Sequence, residues 1–396
     1  MKTYLKSAHL KGFRTIKDLS VDFNPGLNII IGKNGTGKTN FLTFLDKMAR
    51  NEFIPFMNSF SKLTFNGEKS YSVINDQNFD IDLVFDHFKT YFDEKGKYEV
   101  SIGSDLHKFN SKEQFQAFIV KEQLKPLVLF IPHGIRSREQ NGVIDLPFSF
   151  SYSGGNLGID NLLEIYNNKN NSWFLRSLAM SLFVDLFFNE GPIDNSFEKN
   201  QRKVFAKINN ICERINESIG NYLPIDEVRI SSAFKVYNDS SDGLTKFEHL
   251  SFEYLIDGSW LPFSSLSDGT KRLFCIYADL LADNDFYDDF VRGYNGKSPL
   301  ILIEEPELGI HPHQFHLIMT LLKELSKESQ IIITTHAPQA LNIFNQDELD
   351  SIYLCTHDAE KGTQVKHMSE EQQEKAKFYM EDLYLSDYWL TSNFDL

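Results

Sequence analysis

The stretch from Leu27 to Ala49 restricts the possible folds more than any other part of this chain. LNIIIG (Leu27 to Gly32) is a short, β-branched apolar run of the kind that forms a buried strand. GKNGTGKT (Gly32 to Thr39) follows it and matches G-x-x-x-x-G-K-[ST] at every fixed position. NFLTFLDKMA (Asn40 to Ala49) then places Phe41, Leu42, Leu45, Met48 and Ala49 at helical spacing. Strand, glycine-rich turn and helix in this order make a phosphate-binding loop of an α/β fold. Gly32, Gly35 and Gly37 let backbone N–H groups face a phosphate without a Cβ in the way, and the following helix points its positive end at the same place. Lys38 is expected to reach the outer phosphates and the Thr39 hydroxyl to ligate Mg²⁺, while Asn34, Gly35, Thr36, Gly37 and Asn40 complete the candidate nucleotide contacts.

SPLILIEEPELGIHP (Ser298 to Pro312) is a second buried strand, Leu300 to Ile303, that runs directly into two glutamates. Carboxylates at a strand's C-terminal end lie where open α/β sheets bind ligands. Glu304 stands where Asp is commoner, as the residue that holds the Mg²⁺ hydration shell, and Glu305 as the base or positioner of attacking water. QIIITTHAPQA (Gln330 to Ala340) repeats the pattern and puts His336 just past a strand end, where an imidazole can bond the γ-phosphate or the water. Between them, His313 to Ser329 carries Phe315, Ile318, Leu322 and Leu325 on one helical face. Alternating strands and helices imply a largely parallel sheet, so Glu305 and His336 are expected to leave neighbouring strands at one edge.

LSDGTKR (Leu266 to Arg272) precedes LFCIYADLLA, an amphipathic helix with Leu273, Ile276, Tyr277, Leu280 and Leu281 on one face. Ser267 and Gly269 therefore sit at a helix N-terminus, with a hydroxyl, backbone N–H groups and a favourable dipole available to an anion. Taken alone, a serine-capped helix explains this segment without any ligand.

In combination and in order, GKNGTGKT, LSDGTKR, IEEPELGIHP and TTHAPQA resemble the Walker A, signature, Walker B with D-loop, and switch histidine of ABC-type ATPases. The chain is most similar to the soluble RecF, SMC and OLD-like branch, grouped as AAA-family ATPases of the ABC clan. LKGFRTIKDLSVDFNPGLNIIIGKNGTGKTN resembles the N-terminus of that branch, by which Arg14 lies near the nucleotide. The resemblance implies an α/β P-loop NTPase fold: an ABC-type ATPase head with a mixed to parallel sheet and an inserted helical subdomain. It implies ATP and Mg²⁺ as cofactors. It also implies that Ser267 and Gly269 of one subunit close over the γ-phosphate held by Lys38 of the partner subunit, with hydrolysis at Glu305 reopening the pair. One Walker A and one signature per chain predict a homodimer or a higher even-numbered assembly. In VLFIPHGIRSR (Val128 to Arg138), His133 occupies the place where the family's Q-loop glutamine is sought.

The expected organisation is a first ATPase lobe over residues 1–150, a helical insertion over 151–225, a second lobe with signature, Walker B and switch histidine over 226–345, and a strand-and-helix tail over 346–396. IDLVF (Ile81 to Phe85) and YEVSIG read as extra strands of the first lobe, and WFLRSLAMSLFVDLFF and KVFAKINNICERINESI as the inserted helices. No heptads of SMC length occur, so a compact insertion is expected. The tail lacks the Glu and Asp-x-Asp set of a TOPRIM nuclease, so nuclease or toxin activity is expected in a separate effector protein. With 396 residues, 41% hydrophobic and 14% aromatic, the chain can bury a large core. The net charge of −15 disfavours nonspecific DNA binding, though LKGFRTIK and KNQRKVFAK offer local basic surface, and DNDFYDDF (Asp283 to Phe290) an acidic loop. Cys212, Cys275 and Cys355 are scattered without metal spacing, and no signal peptide or run of membrane-spanning length is evident, so a cytoplasmic protein without a membrane partner is expected. Two functions fit: an ATPase whose nucleotide-driven dimerisation controls an effector or DNA-processing complex, in anti-phage defence or DNA repair, or a nucleotide-gated scaffold that sequesters a toxin with little turnover.

Overall fold

The computed structural model describes residues 4–49, 59–65, 69–75, 97–102, 105–121, 128–131, 138–140, 143–145, 174, 178, 179, 182, 197–238, 245–248, 251–282 and 300–392. Ile81 to Phe85, His133, Arg136 and the acidic stretch Asp283 to Phe290 lie outside them. The chain forms two compact units: residues 1–133, 293–307 and 319–396 make the first, and residues 134–292 and 308–318 the second.

The first unit is built on one twelve-stranded sheet. Its strands are β1 Leu5–Phe13, β2 Ile16–Asp22, β3 Leu27–Ile31, β4 Ser59–Phe65, β5 Lys69–Asn75, β6 Lys97–Ile102, β7 Asp105–Phe109 and β8 Val128–Ile131. In chain order β9 (Arg138–Gln140) to β15 (Ser259–Pro262) belong to the second unit, and the first resumes with β16 Leu300–Glu304, β17 Gln330–Thr335, β18 Ile352–Asp358 and β19 Gly362–His367. The order across the sheet is β7-β6-β5-β4-β1-β2-β19-β18-β3-β17-β16-β8. Five neighbours, β18, β3, β17, β16 and β8, run parallel. The rest pair antiparallel. Sequence character explains this division. Every residue of LNIII, LILIE and QIIITT is buried, as in strands covered on both faces, whereas β2 alternates buried and exposed positions, as in a sheet wet on one side.

Helix Lys38–Ala49 buries Phe41, Leu42, Phe44, Leu45 and Met48 in a core shared with Phe13, Phe23 and Tyr353. Two buried amides tie the parallel and antiparallel parts together. The Gln330 side chain accepts from Leu5 N at 2.8 Å and donates to Leu5 O and Asn24 O, both at 2.8 Å. Asn28 Oδ1 accepts from Tyr353 Oη at 2.9 Å and Asn24 N at 2.8 Å. Such groups are buried only with their partners supplied.

Residues 226–345 do not form one lobe: β16 and β17 belong to the first unit because their ladders continue to β8 and β3. The strand-and-helix segment after 346 joins the central sheet: β18 pairs in parallel with the Walker A strand β3, and β19 reaches β2.

In the second unit, helix Phe197–Asn216 buries Val204, Ile208, Ile211, Cys212 and Ile215. It is fastened to β11 (Glu227–Ile230) by Asn216, whose side chain donates to Val228 O at 2.9 Å and accepts from Val228 N at 2.7 Å. A three-stranded sheet β11-β14-β15 lies in this unit, with β14 Phe252–Ile256. Phe174, Leu178, Ala179 and Leu182, from the expected inserted helix, are helical and buried. Among the described residues no helix is long and apolar enough to cross a membrane.

Candidate functional site

Parallel register sets the site. Glu304 pairs with Thr334 and Thr335 with Ile31, so β16, β17 and β3 end together, and the phosphate loop, the glutamates and His336 follow from neighbouring strand ends. Within the loop Gly35 and Gly37 have φ of 81° and 102°, the left-handed region that favours glycine. Packing restricts Gly37 further: a Cβ there would lie 2.0 Å from Thr363 Oγ1 and 3.0 Å from Thr15 Oγ1. A Cβ on Gly32 would meet Cys355 O at 2.2 Å. Thr36 Oγ1 donates to Lys33 O at 2.9 Å.

Lys38 is 5% exposed, and its ammonium donates to Gly32 O at 2.8 Å and Lys33 O at 3.0 Å. Burial lowers its pKa below the ordinary lysine value, with Cys355, Glu305 and Glu307 acting in the opposite direction. Thr39 and Asn40 occupy the first turn of the helix. Asn40 accepts from Arg14 Nη1 at 3.0 Å and donates to Thr15 Oγ1 at 2.8 Å, and Thr15 Oγ1 meets Thr363 Oγ1 at 2.8 Å. Arg14 itself has φ 51° in the β1–β2 turn. Thus Arg14 is joined to the phosphate-loop helix through Asn40, and β19 supports both.

On the acidic side, Glu304 is 4% exposed at the end of β16. Glu305 turns the chain out of the sheet with φ 43°, while its N–H still donates to Thr334 O at 2.8 Å. Its Oε1 is 3.6 Å from His336 Nδ1. Glu307, which the motif reading passed over, is nearer: its Oε1 is 3.1 Å from Nδ1 and accepts from Thr335 Oγ1 at 2.8 Å and His336 N at 2.9 Å. The available signal was a third carboxylate in the same acidic turn. Thr15 and Thr363 carried no comparable signal, being 348 positions apart.

Among the described residues there is no group of three or more His, Cys, Asp or Glu able to hold a metal. A threonine hydroxyl and one buried carboxylate are instead the partial donor set that Mg²⁺ uses together with nucleotide phosphates, so Thr39 and Glu304 fit that ion in that role.

Ser267 and Gly269 belong to the second unit, unlike the residues above. Ser267 caps helix Asp268–Ala282: its Oγ accepts from Thr270 N at 3.1 Å and lies 2.8 Å from Thr270 Oγ1. Gly269 is required by close approach, since a Cβ would fall 2.5 Å from Gly309 O in the segment after the acidic turn. The helix behind them buries Leu273, Phe274, Ile276, Tyr277, Ala278 and Leu280.

Comparison with known proteins agrees with this architecture. Residues 3–137 match the family model described as "AAA ATPase domain", and residues 164–342 the one described as "AAA domain, putative AbiEii toxin, Type IV TA system". The chain is 25% identical to the Septu protein PtuA of Bacillus thuringiensis, over 87% of this chain and 74% of PtuA. It is 26% identical to the endonuclease GajA of Bacillus cereus, over 81% of this chain and 53% of GajA, so it spans about half that relative's length. Among solved structures, an Smc head bound to the C-terminal winged-helix domain of ScpA aligns over 94% of this chain and 99% of that one, with a TM-score of 0.52 and 14% identity, a likeness of fold. Two AAA models follow one another along the chain, so it carries AAA ATPase domains, and the fold beneath them is that of an Smc head.

Proposed function

We propose that this chain binds and hydrolyses ATP, and that nucleotide-dependent pairing of two copies controls a separate effector protein or a DNA-processing complex. The observation that carries this reading is the convergence of Lys38, Glu304, Glu305 and His336 on the ends of three adjacent parallel strands. In this scheme Lys38 and the loop N–H groups bind the phosphates, Glu305 orients and deprotonates the attacking water, and His336 lies beside it. Thr39 and Glu304 would hold Mg²⁺ bound with the nucleotide, which would supply charge neutralisation.

Ser267 and Gly269 are assigned to the nucleotide held by Lys38 of the partner subunit, because one chain carries one phosphate loop and one signature. A helix N-terminus that begins with a serine hydroxyl is chemically suited to a phosphate. The similarity to PtuA and GajA supports anti-phage defence as the setting ahead of DNA repair. A net charge of −15 favours a protein partner over general DNA binding.

The test is steady-state phosphate release beside light scattering, with and without ATP. Turnover in the wild type, its loss in Glu305→Gln, and an ATP-dependent doubling of mass in that variant are the expected results. Tight ATP binding with no turnover, with and without the effector, would instead leave a nucleotide-gated scaffold that sequesters its partner. A Glu305→Gln protein that stays monomeric with ATP would overturn the pairing.

A further inference from the structure

Glu307 has a geometry that the phosphate loop and the water-directing Glu305 do not explain. Its carboxylate is almost enclosed, at 9% side-chain exposure, and one oxygen collects three neighbours: Thr335 Oγ1, His336 N and His336 Nδ1, at 2.8, 2.9 and 3.1 Å. Its other oxygen, Oε2, is buried and has no hydrogen-bond partner among the described residues. A buried carboxylate oxygen left in that state costs free energy that packing does not return. A glutamate kept there has work that a neutral or apolar residue would not do.

That work concerns the imidazole. Nδ1 of His336 faces two carboxylates, with Glu307 at 3.1 Å and Glu305 at 3.6 Å, while the ring is 40% exposed on its remaining sides. Carboxylates accept hydrogen bonds and do not donate when ionised. A ring nitrogen against two of them therefore carries the proton, and the other nitrogen of the neutral ring has the lone pair. Lys38 carries a positive charge that interacts with Glu305 and Glu307. The backbone N–H of His336 and the Thr335 hydroxyl fix the carboxylate, so the group that selects the tautomer is itself held from two sides.

We propose that Glu307 is a positioning residue that locks His336 in its Nδ1-protonated form, so that Nε2 accepts a hydrogen bond from the attacking water. Glu307, rather than Glu305, is then the residue that holds the ring. The same division of labour, a buried carboxylate setting the tautomer of a working histidine, is known to be worth orders of magnitude in rate where an amide replacement leaves the wrong nitrogen protonated. This inference rests on the ATPase reading for its consequence, but its geometry can be examined without turnover.

The experiment is two-bond ¹⁵N–¹H correlation spectroscopy on protein labelled in histidine, with His336→Gln to assign the signal, alongside kcat and KM for ATP. Wild-type His336 should show Nδ1 protonated and Nε2 bare. In Glu307→Gln the proton should move wholly or partly to Nε2, and kcat should fall by roughly 10²–10⁴ while KM changes little. Thr335→Val, which removes one support of the carboxylate but keeps its charge, should give a smaller fall in kcat, and it serves if the glutamine variant does not fold. An Nε2-protonated ring in the wild type, a tautomer unchanged in Glu307→Gln, or a kcat within about twofold of wild type in that variant would each overturn the proposal. If the wild type itself hydrolyses no ATP, the ATPase reading fails, while the spectra still decide whether Glu307 sets the tautomer.

Discussion

Replacing Gly37 with alanine is predicted to weaken the fold in two separable ways. The residue's φ of 102° lies where L side chains are strained, at a cost of about 1–3 kcal/mol. The added Cβ would also fall 2.0 Å from Thr363 Oγ1 and 2.8 Å from Thr363 Cγ2, an overpacking that costs a further ~1–3 kcal/mol. Thr363 is fully buried and hydrogen-bonded to Thr15, so it cannot swing into solvent to make room. The expected total of ~2–6 kcal/mol is a large share of the ~5–15 kcal/mol that holds a domain together. Thr363→Ala removes both clashing atoms but leaves the backbone strain. Alone it should cost about 1 kcal/mol through the lost Thr15 bond. In the double variant the overpacking share should return, giving a favourable coupling of ~1–3 kcal/mol in a double-mutant cycle. Urea denaturation of the four proteins, at unchanged m-value, measures all these quantities. A Gly37→Ala cost below about 1 kcal/mol would refute the strain argument. Zero coupling would refute the claim that β19 packs directly on the phosphate loop.

Three further outcomes follow from named groups. Because burial lowers the Lys38 pKa, the unfolded chain binds more protons between that lowered value and 10.5, so this group makes nucleotide-free stability rise with pH in that alkaline window. The rise should be missing from Lys38→Met, as should the stabilisation of about 2.7 kcal/mol that ATP gives the wild type at 100 times its Kd. Burial pushes the Cys212 thiol up to about 12, so this cysteine should resist a thiol reagent at mildly alkaline pH until the protein is unfolded, and should lower stability as pH rises from about 9. Fast labelling of Cys212 in the native protein would contradict its placement. Gln330→Leu removes three hydrogen bonds between β17 and the β1 and β2 region and strands their partners, with an expected loss of about 2–4 kcal/mol read from the unfolding midpoint.

How far the residues alone reveal this molecule depends on the range of each interaction. The Walker A strand and helix, the Leu300 and Gln330 strands and the helix between them are local patterns, and their continuous apolar runs also disclose a parallel arrangement. The position of Ser267 at a helix N-terminus was readable for the same reason, as a short polar segment ahead of an amphipathic face. Pairings between distant segments were not readable. Nothing near Ile352 indicates that it will lie beside Ile29, yet β18 pairs with the Walker A strand there. Glu307 was visible as a residue but not as a partner of His336, because that contact needs the two strand ends brought side by side. Gly269 shows the reverse: its glycine has a packing reason, the nearby Gly309 carbonyl, beside any contact with nucleotide.

The central claim is that two chains share each ATP, with Lys38 from one and Ser267 from the other. Mixing Ser267→Arg protein with Lys38→Ala protein tests it most directly, since a mixed dimer then holds one site free of both lesions. With random pairing in equal amounts, half of the dimers are mixed and each has one intact site, so turnover should recover to about a quarter of wild type if the sites act independently. Each variant alone should be inactive. No recovery, with mixed dimers shown to form and to bind ATP, would contradict the shared site and leave Ser267 as the cap of its own helix.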